Sequence, residues 1–211
     1  MAETQRVAIV TGAAGGIGRA MVRGLLAAGN RVAGVDRDRE PMEALAASAR
    51  EEGKADHLLT LQTDLANDVA AGEITEATRD RFGRIDILVN NAGIGPGAIR
   101  PDSWQRPLKF WEITPDQWRR FVAVHTTAPL ALPNAVVPEM MRRGWGRIVN
   151  VTTSLGQGRD KMDAAVMSYL CRQRGSPPAS CAGLQSRQFH ANPGDAKDRG
   201  AVVADQFARE A

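Results

Sequence analysis

A glycine-rich turn follows the first apolar run of the chain and precedes an amphipathic stretch. Residues 11–18 are Thr-Gly-Ala-Ala-Gly-Gly-Ile-Gly. Glycines permit a tight turn and let the backbone approach a pyrophosphate, whose charge is stabilised at the N-terminus of the following helix. Because glycine turns are common, the motif alone indicates a nucleotide site only weakly. The candidate cofactor-binding residues in it are Thr11, Gly12, Gly16, Ile17 and Gly18.

An acidic residue, Asp36, lies 18 positions beyond Gly18, at the end of the next strand-like run. A carboxylate there can accept hydrogen bonds from both ribose hydroxyls of a dinucleotide, and its charge repels a 2′-phosphate. Taken alone, Asp36 could equally be a solvated turn residue. Together with the strand and the glycine turn it favours NAD as the cofactor, with NADP the weaker candidate, although Arg37 and Arg39 beside it could soften that preference.

The elements that must position these residues alternate along the chain. Hydrophobic patterns predict strands over residues 6–10, 31–35, 57–62, 85–89 and 146–151. They predict helices over residues 17–28, 40–52, 68–82 and 114–143. Pro129, Pro133 and Pro138 are expected to kink or divide the last helix. This alternation predicts an α/β fold in a single domain, with a Rossmann-type, doubly wound parallel sheet and an irregular or incomplete C-terminal part.

Particular residues mark the predicted helix ends. Gly29 follows the first helix, where a left-handed backbone is tolerated. Residues 114–117, Thr-Pro-Asp-Gln, have the cap, the first-turn proline and the glutamine of a capping box. The basic group Arg142, Arg143 and Arg147 stands where cations complement the carbonyl end of the long helix.

Composition and charge narrow the functional class. The chain has 211 residues, is 43% hydrophobic and 24% charged, and is long enough for one domain with a substantial core. The net charge of +3 arises from interspersed acidic and basic residues, so we predict no nucleic-acid partner. No stretch reaches the roughly 20 apolar residues that span a bilayer, and no signal-peptide pattern is present. Cys171 and Cys181 fit no zinc or CxxC pattern, so we expect no metal site and a cytoplasmic location.

Three motifs together resemble the short-chain dehydrogenase/reductase family. They are Thr11-Gly-x3-Gly-x-Gly18, Asp64-Leu65 after the third predicted strand, and Asn90-Asn91-Ala92-Gly93 after the fourth. The combination is specific, and the resemblance covers about residues 5–156. It implies that Asp64 and Leu65 flank the adenine and that Asn90 supports the strand end. It also implies that Asn91, Ala92 and Gly93 are cofactor-binding residues, whereas residues 90–93 taken alone could be a tight turn.

The family transfers a hydride between the nicotinamide and the carbon of an alcohol or carbonyl compound. A tyrosine exchanges the hydroxyl proton, a lysine lowers its pKa, a serine binds the substrate oxygen and an asparagine steadies a relay water. The resemblance places Thr153, with Ser154 adjacent, at the serine position and His125 at the asparagine position. The alternatives are strand-end hydroxyls that bond local backbone and a buried structural histidine.

The tyrosine and lysine positions depart from the family pattern. Tyr169 is the only tyrosine and lies close to the expected position, but residue 173 is Gln rather than Lys. A free tyrosine titrates at about 10, so a nearby cation must lower its pKa toward the working pH. Arg172 and Arg174 could supply positive charge, although a guanidinium does not replace an ammonium at a ribose clamp.

The family pattern fades in the C-terminal part. Residues 172–186 contain one branched aliphatic side chain, Leu184, and predict no strand. Asn192-Pro193-Gly194 resembles the segment that follows the family's sixth strand. We therefore divide the chain into a dinucleotide-binding Rossmann core, residues 1–158, and an atypical C-terminal segment of the same domain, residues 159–211. One hypothesis is that the reading frame is lost and regained in this interval, which a Tyr-x3-Lys pattern in another frame of the gene would test.

Two functional hypotheses follow. The first is an NAD-dependent oxidoreductase acting on a small secondary alcohol or ketone. The second is a catalytically impaired nucleotide-binding protein, or a truncated or frame-altered product. Aromatic residues in 95–112 (Trp104, Phe110 and Trp111) could line a substrate pocket or simply anchor a long loop. A homo-oligomer is less expected, because the segment that commonly contacts partner subunits in the family is altered.

Overall fold

The computed structural model describes residues 5–103, 105–153 and 184–191. The strands in these ranges are β1 (Val7–Thr11), β2 (Arg31–Asp36), β3 (Leu58–Gln62), β4 (Ile87–Asn90), β5 (Gly146–Thr153) and β6 (Leu184–Ala191). The longer helices are α1 (Gly16–Ala27), α2 (Arg39–Glu51), α3 (Ala70–Phe82), α4 (Pro115–Val122) and α5 (Ala128–Arg142), with a π-helical segment, Ala123–Thr127, between the last two. The strands form one sheet in the order β3-β2-β1-β4-β5-β6, and every pair is parallel.

Apolar layers cover both faces of the sheet. Side chains alternate along β1, so Ala8 and Val10 belong to one layer and Ile9 to the other. Helices α1 and α2 complete the first layer, and α3 and α5 complete the second. Both β1 and β4 are buried along their whole length, as central strands of a doubly covered parallel sheet must be. The predicted Rossmann-type architecture is confirmed, and the predicted strands and the first three helices differ from the observed bounds by at most two residues.

The strand order reverses between β1 and β4. From β1 the chain moves outward to β2 and β3, then returns to place β4 on the other side of β1. In open α/β sheets, ligands bind beyond the carboxyl ends of the strands at such a reversal. The glycine turn follows β1 and residues 91–93 follow β4. Both predicted motifs therefore meet at the edge of the sheet where a ligand is expected.

The long helix begins as predicted and is divided at one place. The Thr114 hydroxyl accepts the Gln117 N–H at 3.3 Å, and the Gln117 side chain accepts the Thr114 N–H at 2.9 Å, which completes the capping box. The π-helical segment, with its wider turn, interrupts the helix before Pro129. The prolines were predicted to kink or divide the helix, and division is wrong for Pro133 and Pro138, which lie inside α5. Burial of Pro133 against the core offsets the hydrogen bond that its ring removes.

Strand β6 corrects part of the C-terminal prediction. It pairs with β5 in parallel register, from Gly146 with Leu184 to Thr153 with Ala191. The prediction of no strand over residues 172–186 is therefore wrong for residues 184–186. The segment has no run of branched apolar residues, so its strand depends on pairing with β5 rather than on local propensity. It ends directly before Asn192, as the resemblance of residues 192–194 to a segment after a sixth strand implied. Among the helices in the described ranges, none is long and apolar enough to cross a membrane.

Candidate functional site

A cleft of about 440 Å³ opens at the carboxyl ends of β1, β2, β3 and β4. Of the eleven residues predicted to bind a cofactor, ten line it: Gly12, Gly16, Ile17, Gly18, Asp36, Asp64, Leu65, Asn91, Ala92 and Gly93. The eleventh, Thr11, lies just behind it. Residues from four separate segments thus meet in one place, although their contact with a cofactor stays a prediction.

The glycine turn is packed too closely for side chains at two positions. Gly12 has a φ of 66°, and a Cβ atom on it would lie 2.9 Å from the Cα of Ala92. A Cβ atom on Gly18 would overlap the carbonyl oxygen of Gly12 and lie 2.7 Å from Nδ2 of Asn91. Gly16 differs, because a Cβ atom there would meet no atom within 4 Å. Its missing side chain leaves open space in the cleft, where a phosphate could approach the backbone.

The N-terminus of α1 offers donors to that space. The first N–H groups of an α-helix have no carbonyl partner within the helix. No side chain caps α1 at Gly15, and its first turn has no acidic residue. The free amides and the helix dipole together favour an anion at this point. The residues present therefore fit a pyrophosphate group.

Thr11 joins the two loops at the strand reversal. Its hydroxyl donates to the carbonyl of Val89 at 3.2 Å and accepts the N–H groups of Asn91 and Ala92, both at 3.0 Å. In return, Nδ2 of Asn91 donates to the carbonyls of Thr11 at 2.8 Å and Gly12 at 3.2 Å. Thr11 and Asn91 thus support the cleft from behind.

Asn90 continues this support toward β5. It is buried, and its Nδ2 donates to Oδ1 of Asn150 at 2.9 Å. The two residues are direct register partners, Asn90 at the end of β4 and Asn150 within β5. The role predicted for Asn90, support of the strand end, is consistent with this contact.

Asp36 faces the glycine turn. Its Oδ2 accepts the N–H of Ala14 at 3.0 Å, and its Oδ1 accepts the N–H of Asp38 at 3.3 Å. The carboxylate retains further lone pairs that can accept hydroxyl donors. Arg37 also lines the cleft and lies 3.4 Å from Asp38, whereas Arg39 pairs with Glu43 on the exposed face of α2. Of the two arginines that could favour a 2′-phosphate, only Arg37 lies in the cleft.

Asp64 forms an ion pair across the cleft that the sequence motifs did not predict. Its Oδ2 accepts a hydrogen bond from Nη2 of Arg120 at 2.7 Å, and its Oδ1 accepts the N–H of Ala66 at 3.0 Å. Burial raises the pKa of Asp64, but the hydrogen bonds from Ala66 and Arg120 and the charges of Arg120 and Arg37 outweigh it, so the pKa lies below its ordinary value. Arg120 stands one helical turn before Val124 and lines the same cleft. No local sequence pattern links Arg120 to Asp64, because the two residues stand 56 positions apart.

His125 lies on the π-helical segment, next to the loop after β4. Its Nε2 is 2.9 Å from the carbonyl oxygen and 3.1 Å from the nitrogen of Ile94, so the ring tautomer decides which group it bonds. A Cβ atom on Gly93 would lie 3.0 Å from the ring. The ring also stacks on Phe121, with centroids 5.6 Å apart. His125 is exposed, so the alternative of a buried structural histidine is wrong.

The other predicted catalytic positions are only partly described. Thr153 is the last residue of β5, at the same edge of the sheet as the cleft. Ser154 and Tyr169 lie outside the described residues, as does Trp104. Phe110 and Trp111 are 81% and 67% exposed and do not line the cleft, so neither is a buried anchor. Within the described ranges, no group of His, Cys, Asp and Glu could hold a metal ion.

Comparison with known proteins identifies many relatives. The family model described as short chain dehydrogenase matches residues 6–168. This match extends beyond residue 156, where the predicted resemblance ends, and stops directly before Tyr169. The chain is 35% identical over 148 residues to 2-(R)-hydroxypropyl-CoM dehydrogenase of Xanthobacter autotrophicus, covering 70% of this chain and 56% of that protein.

Two further comparisons agree. The chain is 32% identical over 174 residues to 2,3-dihydro-2,3-dihydroxybenzoate dehydrogenase of Bacillus subtilis, covering 79% of this chain and 62% of that protein. It therefore spans about three fifths of the length of these two curated relatives. A crystal structure of a metagenomic short-chain oxidoreductase in complex with NADP superimposes with a TM-score of 0.77 at 25% identity, covering 98% of this chain and 91% of that one.

Proposed function

The chain belongs to the short-chain dehydrogenase family, and on that premise we propose that it is an NAD-dependent oxidoreductase acting on a small secondary alcohol or ketone. The family comprises oxidoreductases that use nicotinamide cofactors. The observation that carries the proposal is the cleft, in which the glycine turn, Asp36, Asp64 and the loop after β4 converge. Bound NAD would supply the nicotinamide carbon that accepts a hydride from the alcohol carbon.

Different residues of the cleft are suited to different parts of the dinucleotide. The open space at Gly16 and the free amides of α1 are suited to the pyrophosphate. Asp36 would accept the ribose hydroxyls and would repel a 2′-phosphate. Asp64 and Leu65 would flank the adenine. NADP stays the weaker candidate, although a related structure is described as a complex with NADP and Arg37 lies in this cleft.

Residues 1–158 would act as the dinucleotide-binding core, and residues 159–211 would complete the same domain. Pairing of β6 with β5 supports a single domain, because it joins part of the second segment to the sheet of the core. The proposed proton-transfer groups are Thr153 or Ser154 on the substrate oxygen and Tyr169 as the acid or base, with His125 holding a relay water. Gln173 supports the second candidate function, a nucleotide-binding protein with impaired catalysis, because no lysine stands four residues after Tyr169.

Asp36→Ala tests the cofactor site. We expect it to raise the Kd for NAD roughly 10- to 100-fold, because hydrogen bonds to a charged group contribute about 1.5–3 kcal/mol. The Kd for NADP should stay the same or fall, since the repelling charge is removed. Calorimetric titration of the full chain with each dinucleotide measures both. The matched control is Asp56→Ala, whose carboxylate is fully exposed and outside the cleft.

Three outcomes of this titration would count against the proposal. Failure of the unmodified chain to bind either dinucleotide would reject a nucleotide site altogether. Tighter binding of NADP than of NAD would reject the cofactor assignment while leaving the site intact. An unchanged Kd for NAD in Asp36→Ala would reject Asp36 as the ribose ligand.

Tyr169→Phe separates the two candidate functions. If Tyr169 is the acid or base, we expect turnover of secondary alcohols with NAD to fall about 10²- to 10⁴-fold, the usual contribution of such a group. Gln173→Lys, which restores the family's lysine at its usual spacing, should raise turnover near neutral pH because a cation favours the phenolate. Activity that survives Tyr169→Phe would exclude Tyr169. Binding of NAD without turnover, even in Gln173→Lys, would favour the impaired protein.

A further inference from the structure

We propose that Arg120 is a positioning residue of the cleft, which holds the carboxylate of Asp64 ready to accept a hydrogen bond from the adenine amino group. The inference rests on the proposed function, because it assumes that the cleft binds an adenine dinucleotide. It adds a residue on α4 that contributes to adenine recognition, although α4 carries none of the cofactor motifs.

The carboxylate of Asp64 is held at both oxygens but keeps lone pairs that can accept a further hydrogen bond. The Ala66 N–H holds Oδ1 of Asp64 within the turn after β3, and the Arg120 guanidinium holds Oδ2 from the other side of the cleft. The side chain of Asp64 is 31% exposed and that of Arg120 is 41% exposed, so solvent reaches this ion pair in part. Two contacts from opposite sides fix the plane of the carboxylate, while the remaining lone pairs can accept a donor from the ligand.

The charge of Asp64 depends on the same contact. Burial alone would favour the neutral acid, which carries a proton on one oxygen and is a weaker, uncharged acceptor for the adenine amino group. Arg120 opposes this with both a hydrogen bond and its charge. Arg37 is the other cation that acts on Asp64, but it lies 3.4 Å from its own partner, Asp38. The carboxylates of Asp36 and Asp38 line the same cleft, and their negative charge favours the neutral acid.

Removal of Arg120 should therefore make adenine binding sensitive to acid. In the unmodified chain the pKa of Asp64 lies below its ordinary value, so the carboxylate stays charged down to mildly acidic pH. Without Arg120, the pKa of Asp64 rises, because a hydrogen bond and a positive charge that lower it are removed, and protonation begins at a higher pH. The charged acceptor is then lost as the pH falls through the new pKa, whereas at alkaline pH it persists.

The test compares Arg120→Met with the unmodified chain by calorimetric titration with NAD between pH 5 and pH 8. We expect the Kd to rise about 10-fold once Asp64 is protonated in the variant, because roughly one charge-assisted hydrogen bond to the adenine amino group is then lost. The difference should widen toward pH 5. Binding of nicotinamide mononucleotide, which has no adenine, should be the same in both proteins. Carbon NMR of Asp64 in the free protein should show its titration midpoint at higher pH in Arg120→Met.

Three further variants make the test specific. Arg119→Met is the matched control, because Arg119 pairs with Asp116 on the exposed side of α4 and lies outside the cleft that contains Arg120 and Asp64. Arg120→Lys keeps the charge and should retain most of the affinity for NAD. Asp64→Asn cannot titrate, so its weaker binding should not change further between pH 5 and pH 8.

The outcomes distinguish this inference from the proposed function. If the unmodified chain binds NAD, and Arg120→Met binds it with the same Kd and the same pH dependence, the positioning role is rejected and the cofactor site stands. Equal weakening of NAD and nicotinamide mononucleotide would likewise reject it, because the effect would not be specific to adenine. If the unmodified chain binds no dinucleotide, the proposed function fails, and the inference fails with it.

Discussion

Gly18→Ala is expected to abolish dinucleotide binding and to destabilise the fold. The added methyl group would overlap the carbonyl oxygen of Gly12 and crowd the Asn91 amide, which already bonds the carbonyls of Thr11 and Gly12. The first obstacle is backbone of a tight loop whose Gly12 is left-handed, and the second is a side chain held by two hydrogen bonds, so the loop itself must shift. Overpacking of this kind costs about 1–3 kcal/mol of the free energy of unfolding, and sometimes more.

Two other glycines provide matched controls for this prediction. Gly72 lies exposed in α3 with no atom within 4 Å of an added Cβ, so Gly72→Ala should raise stability by about 0.5–1 kcal/mol through helix propensity. Gly16→Ala should leave stability unchanged but weaken NAD binding, because its methyl group would occupy the open space of the cleft. Urea unfolding and NAD titration measure the two effects separately. Unchanged stability and affinity in Gly18→Ala would contradict the close packing of the turn.

Asp86→Ala is expected to cost about 3–5 kcal/mol of the free energy of unfolding, the usual effect of breaking a buried ion pair by removing one partner. Asp86 is fully buried. Its Oδ1 accepts hydrogen bonds from Nε and Nη2 of Arg84 at 3.0 and 2.7 Å, and its Oδ2 accepts the Val7 N–H at 2.9 Å. Arg143 lies 3.4 Å from the same carboxylate. Alanine would leave the buried Val7 N–H and the Arg84 guanidinium without this acceptor, and Arg143 would lose one of its partners.

The network extends beyond Asp86, which is why the loss should be large. Arg143 also donates to the carbonyl of Ile85 and pairs with Glu139, and Glu139 accepts a hydrogen bond from Arg79 at 3.0 Å. Burial raises the pKa of Glu139, but the hydrogen bonds and charges of Arg79 and Arg143 outweigh it and lower the pKa overall. The network therefore joins α3, α5 and the start of β4 by charged contacts at neutral pH.

The measurement is urea unfolding of Asp86→Ala, with Asp56→Ala as the control. Asp56 has a fully exposed carboxylate 3.8 Å from Arg81, and exposed pairs of this kind contribute little. NAD affinity of the folded Asp86→Ala protein should change little, because Asp86 precedes β4 and the cleft lies beyond the other end of that strand. A similar, small loss of stability in both variants would show that the network does not hold the sheet together.

Asp86 also shows where sequence reasoning is limited. In the sequence it is one polar residue in the predicted strand over residues 85–89, an exception to an apolar pattern. Arg84 stands two positions away, but the other partners, Val7 and Arg143, stand 79 and 57 positions away, so their contacts with the buried carboxylate are invisible to any local pattern. The same holds for Arg120, which meets Asp64 across 56 positions.

The local elements were predictable because their determinants are local. Periodicity of apolar residues places α1 to α3 and the first five strands, and the capping residues Thr114 and Gln117 mark the start of α4. The π-helical segment and the uninterrupted course of α5 through Pro133 were not predictable, since core packing outweighs the local cost of that proline. Strand β6 was missed for a related reason, because pairing with β5 compensates for its weak propensity.

By itself, the sequence determined the architecture and the positions of the cofactor motifs. Glycines between a strand and a helix, and a carboxylate at the end of the next strand, indicate a dinucleotide site from local sequence alone, whatever the rest of the chain contains. Only the tertiary structure decided how those motifs support one another. Thr11 and Asn91 bond across 80 positions, Gly18 must be glycine because Gly12 and Asn91 lie against it, and Arg120 reaches Asp64 from another helix. The reason is physical: strand order brings distant segments to one edge of the sheet, and packing there sets each contact.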